Sequence, residues 1–403
     1  MLSTMIKYFF LSVLFALYVS NSFSQEIATL NHGGTNQRNY YTEVQYEKVE
    51  ELIVVKVSIA GKPYRFLLDT GAPNIITKKL YDELNPPSGK SNSIKKLAIW
   101  DASEKVDSLR LFALSGVTIG DIVFNDIPTL MANDQFLFDC LKIDGMIGSN
   151  MLRNSVLRIS PKNQTVTITD QPERLNLAGK NFTEIYLNPQ QSSPFVMVNL
   201  KGNGEVTLPV LFDTGAMEFI SLALSDYKKL EAYNLFSVLA KTKGSSGIAA
   251  HGAESDTTKH RIGIPITTVG GTIFKNLIAQ TAADGDSRLG SYILKYGVAT
   301  LDYMNKKFYF DPFQNEYDLM ERVFPVSFTL KNDKAVVGVI WDEELRGKIQ
   351  LGDEVLSIDS IDLKKYTACD LMLILAKSKA KTQLTLKIKG QNGKITTLVI
   401  NKK

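Results

Sequence analysis

The tetrapeptide Asp-Thr-Gly-Ala occurs twice in this chain of 403 residues, at positions 69–72 and 213–216. An apolar run precedes each copy and a second apolar run follows it. This pattern predicts a buried strand that ends in a tight turn and delivers a carboxylate there. One copy alone would be a weak signal, because Asp, Thr and Gly are common in ordinary turns. Two copies in matching surroundings constrain the chain to fold as two similar halves.

A second repeated element supports this duplication. About eighty residues after each Asp, an apolar run containing glycine follows, at residues 146–152 and 289–294. From these glycines the halves align without a gap, and each ends in a predicted β-hairpin whose polar turn lies at 160–163 or 302–305. The internal repeat of roughly 140 residues is too long for a solenoid unit and suits one lobe of a two-lobed molecule.

The residue types in the two tetrapeptides suit acid–base chemistry. Peptide hydrolysis without a metal or a covalent nucleophile needs two carboxylates that share one proton, one to activate water and one to protonate the carbonyl oxygen. We therefore expect Asp69 and Asp213 to be the catalytic pair. We expect the threonines to lock the two loops together and the glycines to donate N–H groups to the carboxylates. The supporting loop residues are Thr70, Gly71, Ala72, Thr214, Gly215 and Ala216.

Over residues 45–315 the sequence resembles the retropepsin-like aspartic proteases, in the two-lobed form that fuses both half-sites in one chain. The resemblance implies a mainly β, pepsin-like or retropepsin-like fold and an aspartic endopeptidase. It also implies that the glycine-containing elements pack beneath the catalytic loops, through Ile147 and Gly148 in the first half and Leu289 and Gly290 in the second. The second element begins with Arg288, where the family usually has an apolar residue.

Hairpins that could fold over a substrate are expected between the catalytic loop and the glycine-containing element of each half. In the first half the candidate is 97–103, which contains Trp100, followed by a strand pair around the turn at 120–121. In the second half it is 243–252, which contains Gly247, followed by a strand pair around 270–271. Glycine-rich mobility suits a lid over a polymer. Trp100 is equally well interpreted as an aromatic residue that packs in the core.

The C-terminal residues predict a separate small α+β domain. Residues 351–359 (LGDEVLSID) resemble the PDZ signature, and residues 323–403 have the length of one PDZ domain. The resemblance implies a sheet edge beside a helix that accepts an extended peptide ligand. The alternative is a PDZ-like fold that only packs against the rest of the chain. Removal of this domain is expected to change substrate choice more than chemistry, because both half-sites precede residue 315.

The N-terminus predicts a secretory signal peptide over residues 1–24. Lys7 precedes an apolar run at 8–19, and a small-x-small site follows at 22–24. An uncleaved anchor is the alternative, although the run is short for a bilayer span. We therefore expect a secreted or periplasmic protein without stable membrane insertion after cleavage. The expected order is then a segment at 25–44, lobes at 45–170 and 183–315, and the PDZ-like domain at 323–403.

Composition and the remaining motifs exclude several other classes. The formal charge of +4 includes no concentrated basic block, so no nucleic-acid partner is expected. The three histidines lack metal-ligand spacing, and we expect no metal and no cofactor. Cys140 and Cys369 are far apart in different predicted domains, which favours two buried free thiols over a disulfide.

Three functional hypotheses follow from the sequence. The leading one is an aspartic endopeptidase that cleaves polypeptides, with the PDZ-like domain recruiting or gating them. The second is a catalytically silent peptide-binding protein, which both retained Asp-Thr pairs disfavour. In the third, the two repeats do not pair, and each needs a second chain to complete its pair of carboxylates.

Overall fold

The computed structural model describes residues 29–85, 95–100, 106–245, 248–249, 252–253, 256–282 and 285–403. The predicted signal peptide lies outside these residues. None of the described helices is long and apolar enough to cross a membrane. The architecture is mainly β, as expected, and the helices are short.

The first lobe, as we call the part of the chain from β1 to β12, contains twelve strands and three helices among its described residues. The strands are β1 (Tyr41–Val49), β2 (Leu52–Ile59), β3 (Lys62–Asp69), β4 (Asn74–Ile76), β5 (Lys95–Trp100), β6 (Val106–Leu114), β7 (Val117–Ile119), β8 (Ile122–Phe124), β9 (Ile127–Met131), β10 (Gly145–Gly148), β11 (Val156–Ser160) and β12 (Thr165–Thr169). The helices are α1 (Lys78–Leu84), α2 (Phe136–Leu141) and α3 (Ser149–Leu152). A 3-10 turn, Pro172–Leu175, follows β12.

The second lobe, from β13 to β25, repeats much of this order. Its strands are β13 (Thr183–Leu187), β14 (Pro194–Lys201), β15 (Glu205–Asp213), β16 (Ile220–Ala223), β17 (Ser237–Gly244), β18 (Ile248–Ala249), β19 (Gly252–Ala253), β20 (Thr257–Val269), β21 (Thr272–Ala282), β22 (Arg288–Gly290), β23 (Gly297–Asp302), β24 (Lys307–Pro312) and β25 (Glu316–Asp318). Its helical elements are α4 (Leu224–Leu230) and the 3-10 turns Glu231–Tyr233 and Ser291–Lys295.

The C-terminal domain comprises the residues that follow β25. It contains β26 (Val326–Lys331), β27 (Lys334–Ile340), α5 (Glu343–Arg346), β28 (Glu354–Ile358), β29 (Ile361–Asp362), a 3-10 turn (Leu363–Lys365), α6 (Ala368–Ser378), β30 (Gln383–Lys389) and β31 (Ile395–Asn401). Thr367 and Asp370 cap the start of α6 reciprocally, so two N–H groups at the helix end are satisfied. The domain has its own apolar cluster, formed by β26, β27, β28, β30 and α6.

The two lobes share one antiparallel sheet of six strands, in the order β1-β12-β11-β23-β24-β13. The hairpins expected at the polar turns 160–163 and 302–305 are β11–β12 and β23–β24, and they meet where Val156 pairs with Asp302. One buried apolar cluster extends through both lobes. Burial of this continuous core, at about 25 cal/mol per Å² of apolar surface, opposes separation of the half-sites.

The C-terminal domain contacts both lobes, and its link to the first lobe corrects the cysteine prediction. Cys140 in α2 and Cys369 in α6 form a disulfide, with Cα atoms 4.7 Å apart, and are not free thiols. The prediction was wrong because two helices from distant parts of the sequence pack together, which spacing alone does not reveal. Beside the disulfide, Phe136 of α2 packs against the C-terminal cluster. Met372 of α6 packs against the first-lobe cluster around α2.

The second lobe contacts the C-terminal domain without a covalent bond. The backbone N–H of Ser245 donates to the carbonyl of Gly338 at 3.0 Å, which extends the second-lobe sheet from β17 to β27. Arg261 is buried, its Nη1 donates to the carbonyl of Phe324 at 3.0 Å, and its guanidinium lies 4.4 Å from the Trp341 ring. Burial lowers the pKa of Arg261 to about 10.

Residues 29–40, before β1, lie against both lobes. The backbone N–H of Leu30 donates to the carbonyl of Gln190 at 2.6 Å. On the first-lobe side, Gly34 and Asn125 form an isolated antiparallel bridge. Leu30 is 2% exposed, so this part of the predicted 25–44 segment is packed into the molecule.

Candidate active site

Each repeated Asp lies at the end of a strand held by the strand of the glycine-containing element. In the first lobe, β10 is parallel to β3, with Gly148 beside Asp69, and antiparallel to β4 on its other side. In the second lobe, β22 lies in the same way between β15 and β16, with Gly290 beside Asp213. In each lobe, the glycine-containing strand therefore pairs with the strand before the Asp-Thr-Gly-Ala turn and with the strand after it. This backbone pairing fixes the position of each Asp.

The Ile-Gly and Leu-Gly pairs of β10 and β22 lie against the two Asp-Thr-Gly-Ala turns. Ile147 is 1% exposed, and Leu289 is fully buried. A Cβ added to Gly148 would lie 2.2 Å from the carbonyl carbon of Pro73, and one added to Gly290 would lie 2.2 Å from the Glu218 carbonyl oxygen. Glycine is required at both positions because the Asp-Thr-Gly-Ala turns press directly against this backbone.

The two threonines connect the lobes through four crossed hydrogen bonds. Thr70 and Thr214 are fully buried, and the backbone N–H of each donates to the hydroxyl of the other at 3.1 Å. The Thr214 hydroxyl donates to the carbonyl of Leu68 at 2.7 Å, and the Thr70 hydroxyl donates to the carbonyl of Phe212. The bonds of Thr70 match those of Thr214, so the arrangement has approximate two-fold symmetry. Each hydroxyl both donates and accepts, so neither is left without a hydrogen-bond partner.

The two carboxyl groups meet at the centre of this arrangement, within one chain. The Asp69 carboxyl forms a hydrogen bond with that of Asp213. The Asp69 Oδ1 accepts the backbone N–H groups of Gly71 and Ala72, both at 3.0 Å. The Asp213 Oδ1 accepts that of Gly215 at 2.9 Å. These contacts fix the orientation of both carboxyl planes.

Burial raises the pKa of Asp69 well above its ordinary value, and the charge and the hydrogen bond of Asp213 add to the rise. The N–H groups of Gly71 and Ala72 act in the opposite direction, because they stabilise the ionised form. Two carboxyls in contact cannot both ionise cheaply, so the pair holds one shared proton over a wide pH range.

The glycines of the two turns face the opposite carboxyl. A Cβ on Gly71 would lie 2.6 Å from the Asp213 carboxyl carbon, and a Cβ on Gly215 would lie 2.4 Å from Asp69 Oδ2. Any side chain at either position would displace a carboxyl group. Ala72 and Ala216 complete the turns, and their carbonyls accept the N–H groups of Ser149 and Ser291.

Those two serines are supporting residues that the sequence reasoning did not assign. The Ser149 hydroxyl donates to the Thr70 carbonyl at 2.7 Å and lies 2.9 Å from the Tyr303 hydroxyl. The Ser291 hydroxyl donates to the Ala216 carbonyl at 2.8 Å. Ser149 follows the Ile-Gly pair of the first half, and Ser291 follows the Leu-Gly pair of the second. This shared position in the repeat was a signal that could have identified them.

Arg288 is a further residue whose contacts the sequence did not reveal. Its Nε lies 3.3 Å from Asp213 Oδ2, and the two side chains are 15% and 13% exposed. The corresponding first-lobe residue is Met146, because Met146 pairs with Leu67 and Arg288 pairs with Leu211, each two residues before the catalytic Asp. Met146 is buried in an apolar cluster. Among the described residues, therefore, a cation contacts the carboxyl of Asp213 and none contacts that of Asp69.

The expected hairpins are present in part. In the first lobe, β5 and β6 pair from Lys95 with Leu111 to Trp100 with Val106, so Trp100 ends a strand of a hairpin. In the second lobe, β17, β18 and β19 occupy the corresponding region, and Gly247 lies outside the described residues. The strand pairs expected at 120–121 and 270–271 are β7–β8 and β20–β21.

Comparison with known proteins agrees with this description of the first lobe. Residues 55–151 match the family model described as aspartyl protease. That range contains Asp69, its turn and the β10 strand, and it supports an aspartic-protease fold and a protease-like function. A search of curated proteins finds no match.

Several solved structures are similar to the chain at low identity. The aspartic proteinase from Irpex lacteus is 13% identical, with 68% of this chain and 98% of that chain covered and a TM-score of 0.41. Basic 7S globulin from soybean is 11% identical, with coverage of 68% and 95% and a TM-score of 0.39. A retropepsin-like aspartic protease from Rickettsia conorii is 16% identical, with coverage of 32% and 91% and a TM-score of 0.23.

Proposed function

We propose that this chain is an aspartic endopeptidase that uses Asp69 and Asp213 to hydrolyse polypeptides. The observation that carries the proposal is the contact between two carboxyl groups, one of which has a strongly raised pKa. A purely structural carboxyl pair at a lobe junction is costly, since one member must stay protonated or repel the other. The crossed threonine bonds hold this costly arrangement in place.

The geometry suits water activation without a covalent intermediate. Asp213, which contacts a guanidinium, is the ionised member and takes a proton from water as the water oxygen attacks the peptide carbonyl carbon. Asp69 gives its proton to the carbonyl oxygen at the same time, which yields a neutral gem-diol. Asp213 then gives the proton it took from water to the amide nitrogen, while Asp69 takes a proton from one gem-diol hydroxyl. Cleavage of the C–N bond releases a carboxylic acid and an amine, and the pair again holds one proton.

We propose that the C-terminal domain is PDZ-like and brings extended chains to the cleft. Its strand β26 pairs with β27 on one side, and α6 packs near β26, the arrangement in which strand addition occurs. The second-lobe strand β19 lies close to β26, so a chain bound at that edge would be next to the second-lobe hairpin.

We also propose that the protein is exported, with residues 1–24 removed as a signal peptide, and acts as a secreted or periplasmic enzyme. The Cys140–Cys369 disulfide supports this location, because disulfides persist in oxidising compartments and are rare in the cytosol.

The catalytic proposal is tested by turnover of a reduced, unfolded protein across an acid-to-neutral pH series. We expect bell-shaped activity in the wild type and a loss on the order of 10³-fold or more in Asp69→Asn and in Asp213→Asn. Asp121→Asn, which changes an exposed carboxyl in the β7–β8 turn, is the matched control and should keep full activity.

Binding of the unfolded protein by the wild type without any cleavage would instead indicate a silent peptide-binding protein. Cleavage that survives in Asp69→Asn, with the variant folded, would show that the carboxyl pair is not the catalyst.

A further inference from the structure

Arg288 reaches Asp213 because of the register of two parallel strands. Arg288 pairs with Leu211 and Gly290 pairs with Asp213, so Arg288 and Asp213 are diagonal neighbours on one face of the sheet. Gly290 has no side chain between them, which leaves the guanidinium a direct path to the carboxylate. The turn backbone leaves no room for a side chain at position 290, so no residue there can separate Arg288 from Asp213.

In the first lobe, the equivalent diagonal position carries an uncharged residue. Met146 stands diagonal to Asp69 across Gly148. Asp69 instead receives two backbone N–H groups, whereas Asp213 receives one. The guanidinium therefore takes the place of the missing N–H donor on the Asp213 side, and it brings a full positive charge.

Two further carboxylates, those of Asp226 and Asp286, belong to the charges around Arg288. Asp286, two residues earlier on the same chain segment, interacts electrostatically with Arg288, with Asp226 of α4 and with Asp213. Asp226 accepts hydrogen bonds from the Ser287 hydroxyl at 2.8 Å and from Lys229 at 3.2 Å. Among the described residues, the base in contact with the pair is Arg288. Asp226 and Asp286 are the neighbouring acids, and Lys229 binds Asp226 at the exposed surface, away from the pair.

We infer that Arg288 is a positioning residue that assigns the roles in the carboxyl pair, keeping Asp213 ionised and leaving the proton on Asp69. This inference rests on the proposed function. A positive charge stabilises every state of the pair that carries more negative charge. It favours the singly ionised pair over the neutral pair and the doubly ionised pair over the singly ionised one. Arg288 therefore moves both limbs of the pH–rate profile to lower pH.

The test compares pH–rate profiles of the wild type with Arg288→Met, which installs the first-lobe residue. Loss of an opposite charge at this distance should move both limbs to higher pH by about 1 to 3 units. Arg288→Lys keeps the charge, so its profile should lie close to that of the wild type. Arg288→Gln keeps a donor without the charge and should behave like Arg288→Met. Lys229→Met removes an exposed charge from the same lobe, and its profile should match the wild type.

Carboxyl titration by NMR separates this inference from the proposed function. Protein labelled with ¹³C-aspartate, with signals assigned from Asp69→Asn and Asp213→Asn, reports both titrations whether or not any substrate is cleaved. If Arg288→Met is folded but inactive, the two titrations should still move to higher pH. Titrations that stay at their wild-type positions in Arg288→Met, or a shift that Arg288→Lys does not reverse, would overturn the inference.

Discussion

The two half-sites have the same backbone and different electrostatics. Asp69 is held by two N–H groups with an apolar methionine, Met146, on its diagonal. Asp213 is held by one N–H group with the guanidinium of Arg288 on its diagonal. Strand pairing and the threonine bonds keep the halves symmetric, while one side chain in the equivalent register position makes them unequal. An enzyme that needs one acid and one base can obtain both from a repeated structure in this way.

The lobes also differ in how they hold the C-terminal domain. The first lobe is joined to it by a covalent bond and by Phe136. The second lobe is joined to it by the backbone bond from Ser245 and by the Arg261 contacts with Phe324 and Trp341. The first attachment is fixed as long as the cystine persists, whereas the second can open by separation of packed surfaces.

Removing the covalent attachment should have the largest effect on stability. The Cys140→Ala and Cys369→Ala double variant should lose about 2 to 4 kcal/mol of unfolding free energy, since a cross-link over 229 residues restricts the unfolded chain. Arg261→Ala is the matched change on the second lobe. Urea unfolding compares them, and an equal or larger loss in Arg261→Ala would contradict the difference between the attachments.

A chain that stops at Glu321, after β25, and carries Cys140→Ala tests recruitment by the C-terminal domain, with the disulfide-free double variant as its full-length control. If the domain concentrates substrate, the shortened chain should show a higher KM for an unfolded protein and an unchanged kcat/KM for a short peptide. Equal activity on both substrates would remove the recruiting role. Loss of short-peptide cleavage in a chain that still folds would give the domain a structural role in the site.

Substitution of the two threonines tests whether the half-sites are equivalent in stability. Thr70→Val and Thr214→Val should each lower unfolding free energy by about 1 to 3 kcal/mol, because each leaves buried partners unsatisfied, and the two losses should be similar. Thr300→Val is the control, since the Thr300 hydroxyl is buried without a hydrogen-bond partner among the described residues. A rate loss with no change in stability would show that the threonines do not lock the lobes.

Asp69 should also leave a signature in the pH dependence of stability. Its folded pKa lies above the unfolded value, so the folded state holds a proton that the unfolded state releases. Its contribution to stability is therefore fully present below the unfolded pKa and is lost as pH rises through the folded pKa. Unfolding free energies measured over this window should fall less steeply in Asp69→Asn than in the wild type. Identical slopes would show that the carboxyl is not held in its protonated form.

Much of the fold was predictable because it is repeated. The two Asp-Thr-Gly-Ala turns and the later Ile-Gly and Leu-Gly pairs are local patterns, and two copies at one spacing establish which strands are equivalent. In the structure, the Asp69 carboxyl lies beside that of Asp213, and Thr70 and Thr214 form hydrogen bonds between the two loops.

The contacts that sequence reasoning missed depend on register or on distant packing. Arg288 was visible as an odd residue in the repeat, but its contact with Asp213 follows only once β22 is paired with β15 at a known offset. The Cys140–Cys369 bond requires that α2 and α6 pack together. No local sequence pattern near α2 or α6 indicates that these two helices contact each other. The long separation of the two cysteines in the sequence therefore favoured free thiols.

The cystine also closes a ring in the covalent structure. The peptide chain from Cys140 to Cys369 includes the whole second lobe, with Asp213, while Asp69 lies on the arm that precedes the ring. A single cut between the lobes or before β26 would therefore open the ring without separating the two aspartates. Such a nicked molecule would keep its mass under non-reducing conditions and divide into two fragments after reduction, so clipping during maturation could pass undetected unless thiols are added.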